Sequence, residues 1–156
     1  MTSTFALLLT FGIGIVAGLR SLTAPAVVAW AAHLGWINLH GSPLAFTGSK
    51  WSVGIFTALA LVELVADQLP GTPSRTAAVG LSARIVTGGL CGACLAGGAA
   101  LLVGALSGAI GGIAGAFGGY HARVGLVRSL RVPDVVIAVP EDVVAIALGL
   151  FLVSRF

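Results

Sequence analysis

The side chains in this sequence with the clearest capacity for chemistry are two acids four residues apart, Glu63 and Asp67, in Leu61-Val62-Glu63-Leu64-Val65-Ala66-Asp67-Gln68-Leu69-Pro70. On a helix that spacing puts both carboxylates on one face, where they could hold a cation or relay a proton. The stretch closes an apolar run that begins near Trp51. An ionised acid at mid-bilayer costs about 2.5–3.5 kcal/mol, against roughly 0.3–0.6 kcal/mol gained per Leu, Ile, Val or Phe. Glu63 therefore requires partners, while Asp67, nearer the end of the run, is cheaper to place. The other ionisable groups placed to join them are Arg20, Arg84, Arg123, Glu141, Asp142 and His121. An imidazole such as that of His121 belongs to the side-chain type that ordinarily exchanges protons around neutral pH.

Other chemistry is poorly supported. Cys91 and Cys94 form Cys-Gly-Ala-Cys inside an apolar, Gly-rich segment with no His, Lys or acid nearby to activate a thiol, so they read as small packing residues. His33 and His40 are isolated as metal ligands and read as interfacial histidines. Gly12-Ile13-Gly14 with Gly18 has the wrong spacing and surroundings for a dinucleotide loop; Gly14 and Gly18 read instead as a helix-packing pair. No Ser/His/Asp order, metal-spaced cluster or phosphate-cradling motif is present. The expectation is a protein that is not an enzyme, with no cofactor and no metal.

The elements that must carry these groups are membrane helices. Hydrophobic residues make up 58% of the chain, charged ones only 8%, and the mean hydropathy is +1.09, values outside the range of soluble domains. Long apolar runs without strict alternation, rich in Gly and Ala, indicate helices and not a barrel. Residues 1–156 read as one polytopic domain: an all-α compact bundle of five to six transmembrane or half-length helices, with a broken first segment. The formal charge of +3 comes from scattered arginines and carries topology, not nucleic-acid binding. Met1 to Thr4 have no basic side chain and no cleavage signal follows, so the N-terminus is expected to be retained.

Residues 5–34 would span about 45 Å as one helix, too long for a hydrocarbon core of about 30 Å. A break at Pro25 would divide them, because proline lacks the donor and disfavours helix at Ala24. Whether they cross once or twice is left open by the sequence. Residues 36–50 have loop composition, bracketed by Trp36 and Trp51 at a lipid and water interface. Residues 51–69 cross, residues 70–75 turn, and residues 77–98 cross back, which puts Glu63 and Arg84 at similar depth and makes them the expected ion pair. Gly104, Gly108 and Gly112 form one side-chain-free stripe and Gly111, Gly115 and Gly119 another, suited to close packing within the subunit or to homo-oligomerisation. The crossing is expected to end at Tyr120-His121-Ala122-Arg123, followed by a loop with Arg128 and Arg131 that the positive-inside rule puts in the cytoplasm. Pro140, followed by Glu141 and Asp142, is expected to open the last helix, with the acids facing the positive end of its dipole.

The order Gly18-Leu19-Arg20-Ser21 with Pro25, Glu63 to Pro70, Gly118-Gly119-Tyr120-His121-Ala122-Arg123 and Glu141-Asp142 resembles a family of small bacterial integral membrane proteins known only as a domain of unknown function. That family commonly carries a Lys after the Asp of the second motif and an acid after the Pro-Gly turn; here Gln68, Thr72 and Pro73 stand at those places. The resemblance implies a helical bundle in the bacterial inner (cytoplasmic) membrane and no particular substrate. Two functions fit the residues. In one, a small transporter or channel uses Glu63 and Asp67 for a small ion or solute, balanced by Arg20 and Arg84. In the other, a structural or partner-binding membrane protein uses the same charges only to fix helix packing.

Overall fold

The computed structural model describes residues 3–67 and 76–156. The expected turn over residues 70–75, with Arg75, and the substituted Gln68, Thr72 and Pro73 lie outside the described residues. Six helices alternate in direction: α1 (Ser3–Leu19), α2 (Thr23–His33), α3 (Lys50–Ala66), α4 (Ala78–Ala96), α5 (Leu101–Leu130) and α6 (Asp134–Val153). No strand occurs among the described residues. Helices α4, α5 and α6 are long and apolar enough to cross a membrane, and α1 is a shorter apolar helix. The chain is a membrane protein by this measure.

The bundle is built inside out. The face that α5 turns to α1 and α4 is made of glycine and alanine, with Ile13, Val16, Val28 and Val153 filling the core beside it, while large side chains such as Leu102, Leu106 and Ile110 on α5 and Val143, Leu150 and Phe151 on α6 point outward. Helix α5 is the shared partner of α1 and α4, and glycine permits both contacts. A Cβ on Gly88 of α4 would lie 2.6 Å from the Gly108 carbonyl oxygen, and one on Gly112 would lie 2.6 Å from that of Arg84. On the other face, a Cβ on Gly18 would lie 2.5 Å from the Gly112 carbonyl oxygen, and Gly111 and Gly115 abut the carbonyls of Phe11 and Ile15. Gly119 is buried on the same helix. The pairing of these glycines runs α5 parallel to α1 and antiparallel to α4. Of the two uses expected of these stripes, close packing within the subunit is the one these contacts make, through Gly104, Gly108, Gly112 and Gly115. Cys91 and Cys94 are free thiols in the same core.

The first segment is broken, but not where proline sits. Helix α1 ends at Leu19, the chain turns over residues 20–22, and Pro25 falls in the first turn of α2, where its missing N–H has no helical partner to lose. Helix α2 has 11 residues, about 16 Å. The height it leaves is filled by the following segment, whose Ile37, Leu39 and Thr47 are buried and whose Thr47 Oγ1 lies 3.7 Å from Cys94 Sγ. Trp36 and Trp51 are exposed at this end, as an interfacial pair should be.

Two expected boundaries move. Helix α5 does not stop at Arg123 but runs 30 residues to Leu130, about 45 Å, so Arg123 and Arg128 are helical and Arg131 closes the helix in the left-handed region at φ 54°. Helix α6 begins at Asp134 after Pro133, which leaves Pro140 inside it. Asp134, and not Glu141 or Asp142, therefore meets the positive end of the α6 dipole.

Candidate functional site: a charged end on a broken helix

All five acids of the chain gather at the end of the bundle where α1, α3 and α5 finish and α2, α4 and α6 begin. The turn over residues 20–22 organises them. It exposes backbone N–H groups at the start of α2 and carbonyls at the end of α1, which in a membrane must be satisfied by protein.

Glu63, 8% exposed, satisfies the first set from across the bundle. Its Oε1 accepts from Ser21 N at 2.7 Å and Ser21 Oγ at 2.6 Å, and its Oε2 accepts from Leu22 N at 2.8 Å. No side chain of α2 itself caps that helix. Arg84 of α4 serves the other set: its Nε donates to Gly18 O at 3.0 Å and its Nη1 to Gly80 O at 2.9 Å. The expected direct Glu63–Arg84 ion pair is thereby corrected. The two are at similar depth, but the chain break lies between them and each serves one side of it.

Arg20 is fully buried at the turn and is clasped by two acids, Asp67 of the α3 terminus through Nη1 and Asp142 of α6 through Nη2. Asp67 closes α3, its N–H donating to Glu63 O at 2.9 Å. A carboxylate at a helix C-terminus is disfavoured by the dipole by about 0.3–1 kcal/mol, so the ion pair with Arg20 is what stabilises it there. Removing one member of such a buried pair costs about 3–5 kcal/mol, because the other charge is stranded.

A second arginine adjoins this group. Arg123 donates through Nε to Asp134 Oδ1 at 2.8 Å, through Nη2 to Asp134 Oδ2, and through Nη1 to Glu141 Oε2 at 3.2 Å. Asp67 is close enough for its charge to act on Arg123, and Glu141 for its charge to act on Asp142, so the two groups form one electrostatic unit. Arg123 lies 22 positions beyond Leu101, about 33 Å along α5. That is close to the full thickness of a hydrocarbon core and marks this end as interfacial.

The structure thus brings together Arg20, Glu63, Asp67, Arg84, Arg123, Glu141 and Asp142. His121 is left out: it is exposed on the outer face of α5, in edge contact with Tyr120. Two participants were not anticipated as ligands, Ser21 and Asp134. Ser21 was visible only as part of the Gly-Leu-Arg-Ser motif. Asp134 carried the signal of an acid directly after a proline, which marks a helix start. Among the described residues, no three His, Cys, Asp or Glu side chains converge to hold a metal ion.

No curated protein and no solved structure matches the chain. A family model does, over residues 7–154, and on it the chain belongs to the family described as a domain of unknown function, DUF4126.

Proposed function

We propose that this is a multi-pass protein of the bacterial inner membrane that moves protons or a small cation, alone or with a solute, through the charged end. The observation that carries this reading is an imbalance. Arg20, fully buried, is engaged by two acids, Asp67 and Asp142, so that at this point two carboxylates face one guanidinium. Packing would need only one acid per base. Arginine does not release its proton at physiological pH, so the second carboxylate on Arg20 is the group that takes up a proton or attracts a cation.

Unused polar capacity supports a wet site. Arg20 Nε and Thr23 Oγ1 are buried without a hydrogen-bond partner, and the Arg20 Nη2–Asp142 Oδ1 ion pair lacks hydrogen-bond alignment. Such groups ordinarily signal water or a passing ligand. The break between α1 and α2 beside these acids also resembles the broken helices of transporter sites, set here toward one end of the bundle. The positive-inside rule assigns the end with Arg123, Arg128 and Arg131 to the cytoplasm, and six alternating helices then put both termini on the other side.

A second reading has its own support. Glu63 is saturated by three hydrogen bonds to the α1–α2 turn, which is what a purely structural role would require. Proton flux into proteoliposomes separates the two. Asp142→Asn leaves Arg20 with Asp67, and Glu141→Gln leaves Arg123 with Asp134, so both variants should fold. Transport predicts that one or both lose flux, whereas flux equal to wild type in both variants, or no flux in the wild type, leaves the scaffold reading.

A further inference from the structure

The opposite end of α2 holds a feature that the charged end does not explain. A cavity of about 460 Å³ opens between the last turn of α2 and the segment leading to α3, lined by His33, Asn38, Leu39, His40, Gly48 and Ser49 among others. This is within the size range of small-molecule sites.

Its lining is biased toward donors. His33 Nδ1 lies 3.0 Å from Gly48 O; a carbonyl can only accept, so that nitrogen donates, which fixes the ring and occupies the Gly48 carbonyl as an acceptor. Asn38 Oδ1 accepts from His40 N at 3.0 Å, which leaves the amide to present its Nδ2 donors. The backbone N–H groups of Asn38 and Leu39 donate to nothing within the described protein. No carboxylate competes, because all five acids of the chain are at the other end, while Lys50 directly follows the lining residue Ser49.

We propose that this cavity binds an oxyanion, a carboxylate or phosphate group, through the N–H groups of residues 38 and 39 and the Asn38 amide. The group is supplied by a small solute or by a phospholipid headgroup. The site uses none of the residues of the proton pathway and stands or falls apart from it.

The test is nuclear magnetic resonance of the isotope-labelled full chain in maltoside micelles, which carry no phosphate, titrated with inorganic phosphate or acetate and, in a parallel arm, with added phosphatidylglycerol. Saturable shifts of the residue 38 and 39 amides are expected. Shifts with phosphate or acetate identify a soluble ligand, and shifts with phosphatidylglycerol alone identify the headgroup. Asn38→Asp keeps the acceptor for His40 N but replaces the donor by a negative charge, and should weaken binding about tenfold or more. Absence of shifts in every arm overturns the proposal, as does an Asn38→Asp variant, folded by its spectrum, that binds equally or better.

Discussion

Glu63→Gln is the perturbation whose effect the geometry determines most closely. The carboxylate accepts three hydrogen bonds, two at Oε1 from Ser21 and one at Oε2 from Leu22 N. A glutamine in the same place keeps one oxygen, which can retain the two bonds from Ser21 without charge assistance. Its amide then turns donors toward Leu22 N–H. Bonds to charged groups contribute about 1.5–3 kcal/mol against about 0.5–1.5 kcal/mol for neutral ones, and a buried donor left unmade costs about 1–3 kcal/mol. Relief from burying a charge offsets part of this. The expected net loss is about 2–4 kcal/mol, read as unfolding free energy from denaturant titration of the protein in mixed micelles. Ser21→Ala alone should cost about 1–2 kcal/mol, and the pair should be non-additive by about 1 kcal/mol. Coupling of Glu63→Gln to Ser21→Ala should exceed its coupling to Arg84→Gln. A Glu63→Gln variant within about 0.5 kcal/mol of wild type, or equal coupling to both partners, would refute the capping argument.

Further expectations follow from the packing and the backbone. Gly88→Ala puts a methyl 2.6 Å from the Gly108 carbonyl oxygen and should cost more than about 3 kcal/mol or prevent folding, whereas Gly125→Ala, with nothing within 4 Å, should stabilise α5 by about 0.5–1 kcal/mol; the same unfolding assay reads both. Pro140→Ala restores an interior helical hydrogen bond in α6 and should raise the thermal unfolding midpoint, with slower amide hydrogen exchange around residue 140. Arg84→Lys should destabilise, because a single ammonium cannot reproduce the fork that reaches both Gly18 O and Gly80 O, and tighter thermal stability in that variant would contradict the role given to Arg84.

Much of this architecture was legible in the residues. Hydropathy and the glycine periodicities gave helices, five or six of them, and the face on which α5 is packed, because period and side-chain size act locally. The meeting of Arg20, Asp67 and Asp142 followed from the cost of isolated charge in lipid, although the partner of Glu63 did not. Depth along antiparallel helices matched Glu63 to Arg84 correctly in height, but a carboxylate can be satisfied by backbone N–H groups, and those become available only where the chain breaks. Proline misplaced two boundaries for one reason. Pro25 and Pro140 are both compatible with helix in context, the first at a helix start and the second where tertiary packing outweighs one lost hydrogen bond. His121 was grouped by sequence proximity to Arg123, yet two positions along a helix is a rotation of about 200°, and the ring faces outward.

The central claim is that two carboxylates, Asp67 and Asp142, sharing the single buried guanidinium of Arg20 make the charged end a place that takes up protons. Infrared difference spectroscopy of the reconstituted protein between about pH 8 and about pH 6, a range in which an ordinary carboxylate stays ionised, tests it directly through the carbonyl band of protonated carboxylic acids. The account predicts such a band while the fold is intact, reduced by Asp142→Asn or Glu141→Gln. A spectrum without that band in this range, with the helices intact, would mean that Asp67 and Asp142 both stay ionised against Arg20, and would contradict it.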